Sequence, residues 1–174
     1  MALGIIVGGP AGTGKTTVGE LLAETLKAPF VEGDQLHPPK NVEKMANGIP
    51  LTDDDRWDWL EDVAKNISER AEKESGLAIG SCSSLTVRYR DYLRKHSSVP
   101  LLIVFLHTTK EEMLKRVSGR KGHYMGSNMV DSQYNLMEVP KEDEPGCLPI
   151  LADSPPEKLR DRIVAFLQEQ KLLN

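Results

Sequence analysis

A phosphate-binding loop lies near the start of the chain. Residues 9–16 read Gly-Pro-Ala-Gly-Thr-Gly-Lys-Thr and match the pattern G-x-x-x-x-G-K-[ST]. Glycines let backbone N–H groups turn toward phosphate oxygens, the lysine reaches the outer phosphates, and the last threonine hydroxyl can bind Mg²⁺. The residues expected to bind the nucleotide are Gly9, Pro10, Ala11, Gly12, Thr13, Gly14, Lys15, Thr16 and Thr17. The motif predicts nucleoside triphosphate binding but leaves motors, switches, transporter ATPases and kinases open.

Two carboxylates lie at the end of the second predicted strand. Glu32 and Asp34 are two residues apart, so on a regular strand they point to the same side. One can hold a metal-bound water, while the other orients an attacking hydroxyl or accepts its proton. The third predicted strand ends in Ser81 and Cys82 instead of the aspartate that many proteins with this loop use for Mg²⁺. A polar turn at the strand end is the alternative interpretation of the pair.

The elements that must position these residues alternate between strand and helix. Short apolar runs predict strands at 3–7, 29–32, 77–82, 101–107 and 148–152. Helical spacing predicts helices at 16–26, 53–74 and 110–117, and another that begins near 127. This alternation implies a parallel sheet covered on both faces. The polar segment 121–128 contains two glycines, which favours a moving lid at about 118–130, and residues 138–149 are interpreted as a surface loop.

Composition narrows the class of protein. A length of 174 residues predicts one domain, 1–174, that includes the lid. The formal net charge of −4 disfavours nucleic-acid binding. The longest apolar run, 101–106, is too short to cross a membrane. Residues 1–7 are apolar but have no basic segment and run into a glycine turn, which disfavours a secretory signal, so we expect a cytoplasmic location. Two cysteines are too few for a disulfide framework, so we expect reduced thiols.

Four ordered blocks of the sequence resemble the gluconokinases, small P-loop kinases related to shikimate and adenylate kinases. They cover residues 33–60, which begin Gly-Asp-Gln-Leu-His-Pro, and residues 82–94, 120–125 and 132–140. The resemblance spans nearly the whole chain. It implies a three-layer α/β P-loop kinase fold, with a five-stranded parallel sheet in the order 2-3-1-4-5. It also implies that the γ-phosphoryl group of ATP is transferred, with Mg²⁺, to the 6-hydroxyl of D-gluconate.

The resemblance also suggests which residues catalyse the transfer. We expect Lys15, Asp34 and Arg120 to be catalytic. Asp34 would orient the acceptor hydroxyl or act as its general base, and Arg120 would neutralise the transferring phosphoryl group as the lid closes. Arg116 would lie along the adenine ring, although a basic helix end is the alternative for both arginines. Thr16 would bind Mg²⁺ directly and Glu32 would do so through water.

A pocket for gluconate needs a fixed cation and several hydrogen-bonding groups. The candidate substrate-binding residues are Asp34, His37, Arg56, Ser83 and Arg90. Arg56 is the candidate clamp for the carboxylate or the polyol, and the alternative is an exposed ion pair within its helix. A solvated side chain is the alternative for both His37 and Arg90.

Three positions depart from the pattern of the family. Thr86 stands where a lysine is usual, and Asp58 and Gly126 stand where prolines are expected. These departures leave shikimate or a nucleoside monophosphate open as the acceptor, and an ATP-binding module without turnover is the non-enzymatic alternative. Dimerisation is an expectation from the family that the sequence itself does not show.

Overall fold

A computed structural model describes residues 2–74, 76–118 and 127–173, with side chains for all of these except 118 and 127–129. The strands are β1 (Leu3–Gly8), β2 (Phe30–Glu32), β3 (Leu77–Ser81), β4 (Leu101–His107) and β5 (Cys147–Leu151). The helices are α1 (Lys15–Leu26), α2 (Pro39–Ala46), α3 (Asp53–Lys73), α4 (Val87–Lys95), α5 (Lys110–Ser118), α6 (Ser127–Leu136) and α7 (Pro156–Glu169). A 3₁₀ helix, Gly33–Leu36, follows β2 directly.

The five strands form one parallel sheet in the order β2-β3-β1-β4-β5, which confirms the predicted fold class and strand order. In the central strand, Ile5 lies opposite Ile79 of β3 and Leu102 of β4. Strand β1 is apolar along its length because helices cover both faces of the sheet, as parallel sheets require.

Alternate residues of β1 enter two separate cores. Ile6 packs in the cluster that contains Leu60 and Val63 of α3, whereas Ile5 packs with Leu22 of α1 and Ile163 of α7. All six side chains are fully buried. The side-chain period of two along a strand therefore places one helical layer on each face of the sheet.

The long helix α3 begins where its sequence supplies a cap. The Thr52 hydroxyl accepts from the Asp55 N–H, and the Asp55 carboxylate accepts from the Thr52 N–H, which together form a capping box. The carboxylates of Asp53, Asp54 and Asp55 also face the positive end of the helix dipole. Because its first turn is fixed in this way, α3 holds the next side chain, Arg56, at a defined place.

Residues 119–126 lie outside the described residues, so the lid predicted at about 118–130 stays a prediction, as does the single domain over 1–174. Within the described ranges, no helix combines the length and apolar character that crossing a membrane requires.

Candidate active site

The phosphate loop connects β1 to α1 in the conformation that its glycines allow. Gly9, Gly12 and Gly14 have φ angles of 126°, 85° and 86°. A Cβ on Gly9 would lie 2.0 Å from the carbonyl oxygen of Leu106 in β4, so only glycine fits where the loop passes this strand. Helix α1 begins at Lys15, directly after Gly14, which has no side chain to cap it. The first N–H groups of α1 are therefore oriented as in an anion-binding site.

A hydroxyl and a carboxylate lie together beside this loop. The Thr16 hydroxyl donates to Glu32 Oε2 at 2.7 Å, and the Ser81 hydroxyl donates to Glu32 Oε1 at 2.5 Å. The Thr16 oxygen keeps its lone pairs for a cation because its proton is directed at Glu32. Oxygen donors of this kind suit Mg²⁺, which commonly takes one or two protein ligands with phosphate and water. The Thr16 and Glu32 oxygens therefore fit a cation that also binds phosphate. Among the described residues there is no group of three His, Cys, Asp or Glu side chains around a metal position.

A cleft, which we call the acceptor cleft, opens beside Lys15 of the phosphate loop. Its lining residues are Lys15, Asp34, His37, Met45, Leu51, Arg56, Trp59, Ser83, Leu85 and Gln133. Five of these side chains were singled out from the sequence, and the structure brings them together at the carboxyl edge of the sheet. Asp34 lies in the 3₁₀ helix, where a Cβ on the preceding Gly33 would be 2.0 Å from the Ser81 carbonyl oxygen. The close packing of Gly33 on β3 thus sets the position of Asp34.

Arg56 is a fixed cation in this cleft. Its side chain is buried, Nη1 donates to the Tyr89 hydroxyl at 2.5 Å, and the guanidinium lies 5.0 Å from the centroid of the Tyr89 ring. The Tyr89 hydroxyl in turn donates to the Asp53 carboxylate. Burial and this hydrogen bond to Asp53 raise the pKa of Tyr89. Such a setting disfavours the exposed ion pair that was the alternative for Arg56.

His37 is held between an aromatic ring and an amide. Its ring stacks on Trp59 with a centroid separation of 3.9 Å and an interplanar angle of 16°. The Asn41 side-chain amide nitrogen lies 3.1 Å from His37 Nδ1. Burial, and secondarily the charge of Arg56, lower the pKa of His37 to about 4. His37 is therefore a neutral ring at physiological pH.

Arg90 lies outside the acceptor cleft, in contrast to what the sequence led us to expect. Its side chain is fully buried, and Nε and Nη2 bind the two Glu144 oxygens at 2.7 and 2.8 Å. The guanidinium also donates to the carbonyl oxygens of Ser84 and Glu138. This pairing lowers the pKa of Glu144 to about 2. The contacts favour a structural role, and the segment interpreted as a surface loop carries a buried ion pair.

Arg116 borders a separate cleft beside the phosphate loop. It donates to the carbonyl oxygens of Gly12 at 3.1 Å and Ala152 at 2.8 Å, and it pairs with Glu112 at 3.0 Å. The cleft is lined by Gly12, Thr13, Gly14, Thr17, Val18, Arg116, Ser154, Pro156 and Leu159. This place beside the loop is compatible with contact to the nucleoside. Arg120, the third catalytic candidate, lies outside the described residues, as does Gly126.

Sequence reasoning did not assign several residues that complete the site. Gln133 of α6 lines the acceptor cleft, and its Oε1 accepts from the Ala11 N–H at 2.7 Å. Trp59 donates to the Gly33 carbonyl oxygen at 2.8 Å and stacks on the His37 ring. Thr86 caps α4, because its hydroxyl accepts from the Tyr89 N–H at 3.2 Å. For Gln133, the sequence signal was its place in the fourth matching block.

A parallel sheet of this order, with a phosphate loop after β1 and a polar cleft beside its lysine, defines the class of small P-loop kinases. The family model described as Shikimate kinase matches residues 11–144. A probable gluconokinase of Saccharomyces cerevisiae is 47% identical over 82% of this chain and 78% of its own length. The gluconokinase of Gluconobacter oxydans is 38% identical over 95% and 92%, respectively. The crystal structure of a gluconokinase from Sinorhizobium meliloti, 36% identical, covers 96% of each chain with a TM-score of 0.80.

The chain belongs to the gluconokinase family. It is a phosphotransferase, and membership in a kinase family implies the binding of ATP with a divalent metal. The resemblance found in the sequence is thus confirmed.

Proposed function

We propose that this protein transfers the γ-phosphoryl group of ATP to the 6-hydroxyl of D-gluconate, giving 6-phosphogluconate and ADP. The observation that carries the proposal is the acceptor cleft, in which Lys15 of the phosphate loop meets Asp34, His37 and Arg56. A sugar acid presents a hydroxyl chain and a carboxylate. The cleft offers hydrogen-bonding groups and a fixed cation to match them.

Asp34 acts on the attacking hydroxyl. It lies in the same cleft as Lys15, so an acceptor oxygen near Asp34 is also near the outer phosphates. The carboxylate accepts the hydroxyl proton as the oxygen bonds to the γ-phosphorus and the bond to the ADP oxygen breaks. Lys15, the N–H groups of the loop and, from the lid, Arg120 stabilise the charge on the phosphates.

Arg56 binds the far end of the acceptor. Its guanidinium is held by Tyr89, so it is already oriented before a carboxylate arrives. Ser83 supplies a hydroxyl to the polyol, and His37 supplies a ring nitrogen. Mg²⁺, when bound, neutralises phosphate charge, and Thr16 and Glu32 are the residues that would hold it.

Shikimate is the competing acceptor, because the matching family model carries that description. The named relatives at 36–47% identity, however, are gluconokinases.

We also propose a homodimer, from the resemblance, and a cytoplasmic location, since Cys82 and Cys147 are free thiols.

The test is turnover of purified protein with Mg-ATP and gluconate, followed as ADP release, with the product identified by NMR coupling between phosphorus and the C6 protons. The Lys15→Met variant, prepared in parallel, measures any contaminating kinase. We expect ADP release well above that background and phosphate on C6. Release equal to the background, or phosphate on another carbon, would contradict the proposal.

A further inference from the structure

The side-chain amide of Asn41 has an orientation that the backbone of α3 dictates. Asn41 is fully buried, and its Nδ2 lies 2.8 Å from the carbonyl oxygen of Asp55. A carbonyl oxygen only accepts hydrogen bonds, so the Asn41 atom that faces it must be the NH₂ group. Exchanging the two ends of the amide would bring two oxygens together. The Oδ1 atom is left buried without a partner among the described residues, which is consistent with an orientation imposed by the nitrogen.

The same NH₂ group determines where the proton of His37 sits. Nδ2 carries two hydrogens, one directed at Asp55 and the other at His37 Nδ1, 3.1 Å away. A ring nitrogen that accepts a hydrogen bond is unprotonated, so in a neutral ring the proton is on Nε2. A proton on Nδ1 would place two donors against each other.

Further contacts fix the ring and keep it neutral. Stacking on Trp59 sets its plane, and Trp59 is itself anchored to the Gly33 carbonyl oxygen. Lys15, Asp34 and Arg56 line the same cleft as His37, and on the other side of Asn41 lie Asp55 and its partner Lys44. Lys44 and Asp55 pair with each other at 2.7 Å, whereas Arg56 opposes a positive charge on the ring. Burial acts in the same direction as Arg56 and lowers the pKa of His37.

We propose that Asn41 is a positioning residue that holds His37 as the neutral Nε2–H tautomer, so that His37 donates a hydrogen bond to an oxygen of the phosphoryl acceptor. Within the described part of the chain, Nε2 has no protein acceptor, so its N–H remains for a ligand in the cleft. A neutral donor suits a hydroxyl oxygen, while Arg56 takes the charged end. Only the identity of the acceptor rests on the proposed function.

Long-range ¹H–¹⁵N NMR of the full chain with ¹⁵N-labelled histidine reads the tautomer directly, without any substrate. The chain has four histidines, and the His37 signals are those lost in His37→Gln. At pH 7 we expect a protonated Nε2 and an unprotonated Nδ1, and a ring still neutral at pH 5.5. A protonated Nδ1, or a charged ring at pH 7, would overturn the proposal.

Asn41→Asp tests whether Asn41 determines the tautomer of His37. A carboxylate has no N–H to donate to Nδ1 and accepts from it instead, so the His37 signals should change to a protonated Nδ1 and the ring should titrate at higher pH. The control is Asn66→Asp, because Asn66 also donates to a carbonyl oxygen, that of Asp62, but is exposed. The control should leave the His37 signals unchanged. An unchanged tautomer in Asn41→Asp would contradict the proposal.

Two substitutions of His37 itself test the donor, whether or not Asn41→Asp folds. Glutamine can place an amide N–H near the position of Nε2, whereas the shorter asparagine reaches only the region of Nδ1. In His37→Asn we expect kcat/KM for gluconate to fall about 10-fold because KM for gluconate rises. The loss should be smaller in His37→Gln, and KM for ATP should be unchanged in both variants. Equal losses would contradict a donor at Nε2. Failure of wild type to use gluconate would instead refute the proposed function and leave the NMR result standing.

Discussion

The phosphate loop and the acceptor cleft meet at Lys15 but are built in different ways. The loop is one continuous stretch, 9–17, and the groups expected to bind phosphate are mostly backbone N–H groups at the start of α1. The acceptor cleft takes side chains from the 3₁₀ helix, from α3, from the segment after β3 and from α6. Other side chains support them, as Tyr89 supports Arg56 and Asn41 supports His37. Binding of phosphate thus depends on local sequence, and choice of acceptor depends on tertiary packing.

Asp34→Asn should have the largest effect, at the point where the two regions act together. The amide keeps the shape of the carboxylate but cannot accept the proton of the hydroxyl. We expect kcat to fall about 10²- to 10⁴-fold, with little change in KM for gluconate or ATP. Steady-state kinetics with both substrates measures this, and Asp62→Asn, an exposed change on α3, is the control. A kcat within a few-fold of that of wild type would show that Asp34 is not a general base.

Lys15→Met tests the phosphate region. The loss of one fixed charge from the transferring phosphoryl group commonly costs about 3 to 4 kcal/mol, or roughly 10²- to 10³-fold in kcat. The loss should be the same for any acceptor, because Lys15 acts on the nucleotide. Circular dichroism establishes that the variant is folded. Turnover near that of wild type would refute the assignment of the loop.

Arg90→Met tests whether Arg90 stabilises the fold or binds the acceptor. Removing it leaves the Glu144 carboxylate with Arg94, 3.1 Å away, so we expect a loss of about 3 kcal/mol in the free energy of unfolding. Because the pKa of Glu144 is lowered to about 2 in the folded protein, its stabilisation is present above its ordinary pKa and is lost as the pH falls toward 2.

Denaturant unfolding at pH 7 and pH 3 measures both effects, and the wild type and the variant should differ less at pH 3. Gluconate kinetics of the folded variant decide between the two roles of Arg90. A free energy of unfolding equal to that of wild type, together with a greatly raised KM for gluconate, would show that Arg90 binds the substrate.

Arg56→Met tests the acceptor side alone. A charge-assisted contact is worth about 1.5 to 3 kcal/mol, so kcat/KM for gluconate should fall roughly 10- to 150-fold, mainly through KM. The KM for ATP should stay near that of wild type. Sorbitol, which has no carboxylate, should be a poor substrate for wild type and lose little more in the variant. Equal losses with gluconate and sorbitol would show that Arg56 does not bind the carboxylate.

The sequence predicted the phosphate loop because its glycines, lysine and threonine are contiguous and their geometry is local. The strands followed from short apolar runs, and their bounds differ from the structure by about one residue. The order of the strands came from the family resemblance, since local patterns do not specify which strands are neighbours.

The acceptor side was harder to predict because contacts distant in the chain decide it. Arg90 looked available until Glu144, 54 residues later, was found to bind its guanidinium. Asn41 fixes His37 only because α2 packs against the start of α3, where Asp55 presents a carbonyl oxygen. Nothing in the spacing of these residues indicates that contact. A motif thus identifies the residue types, and packing decides which of them face the substrate.

We expect the acceptor cleft to select a sugar acid in preference to shikimate. A competition assay measures this preference: equal concentrations of gluconate and shikimate are offered to wild-type protein with limiting Mg-ATP in one vessel, and the two phosphorylated products are separated and quantified. We expect 6-phosphogluconate to make up nearly all of the product. Shikimate phosphorylated faster than gluconate would contradict this expectation, and would assign the departures at Thr86, Asp58 and Gly126 to a change of acceptor.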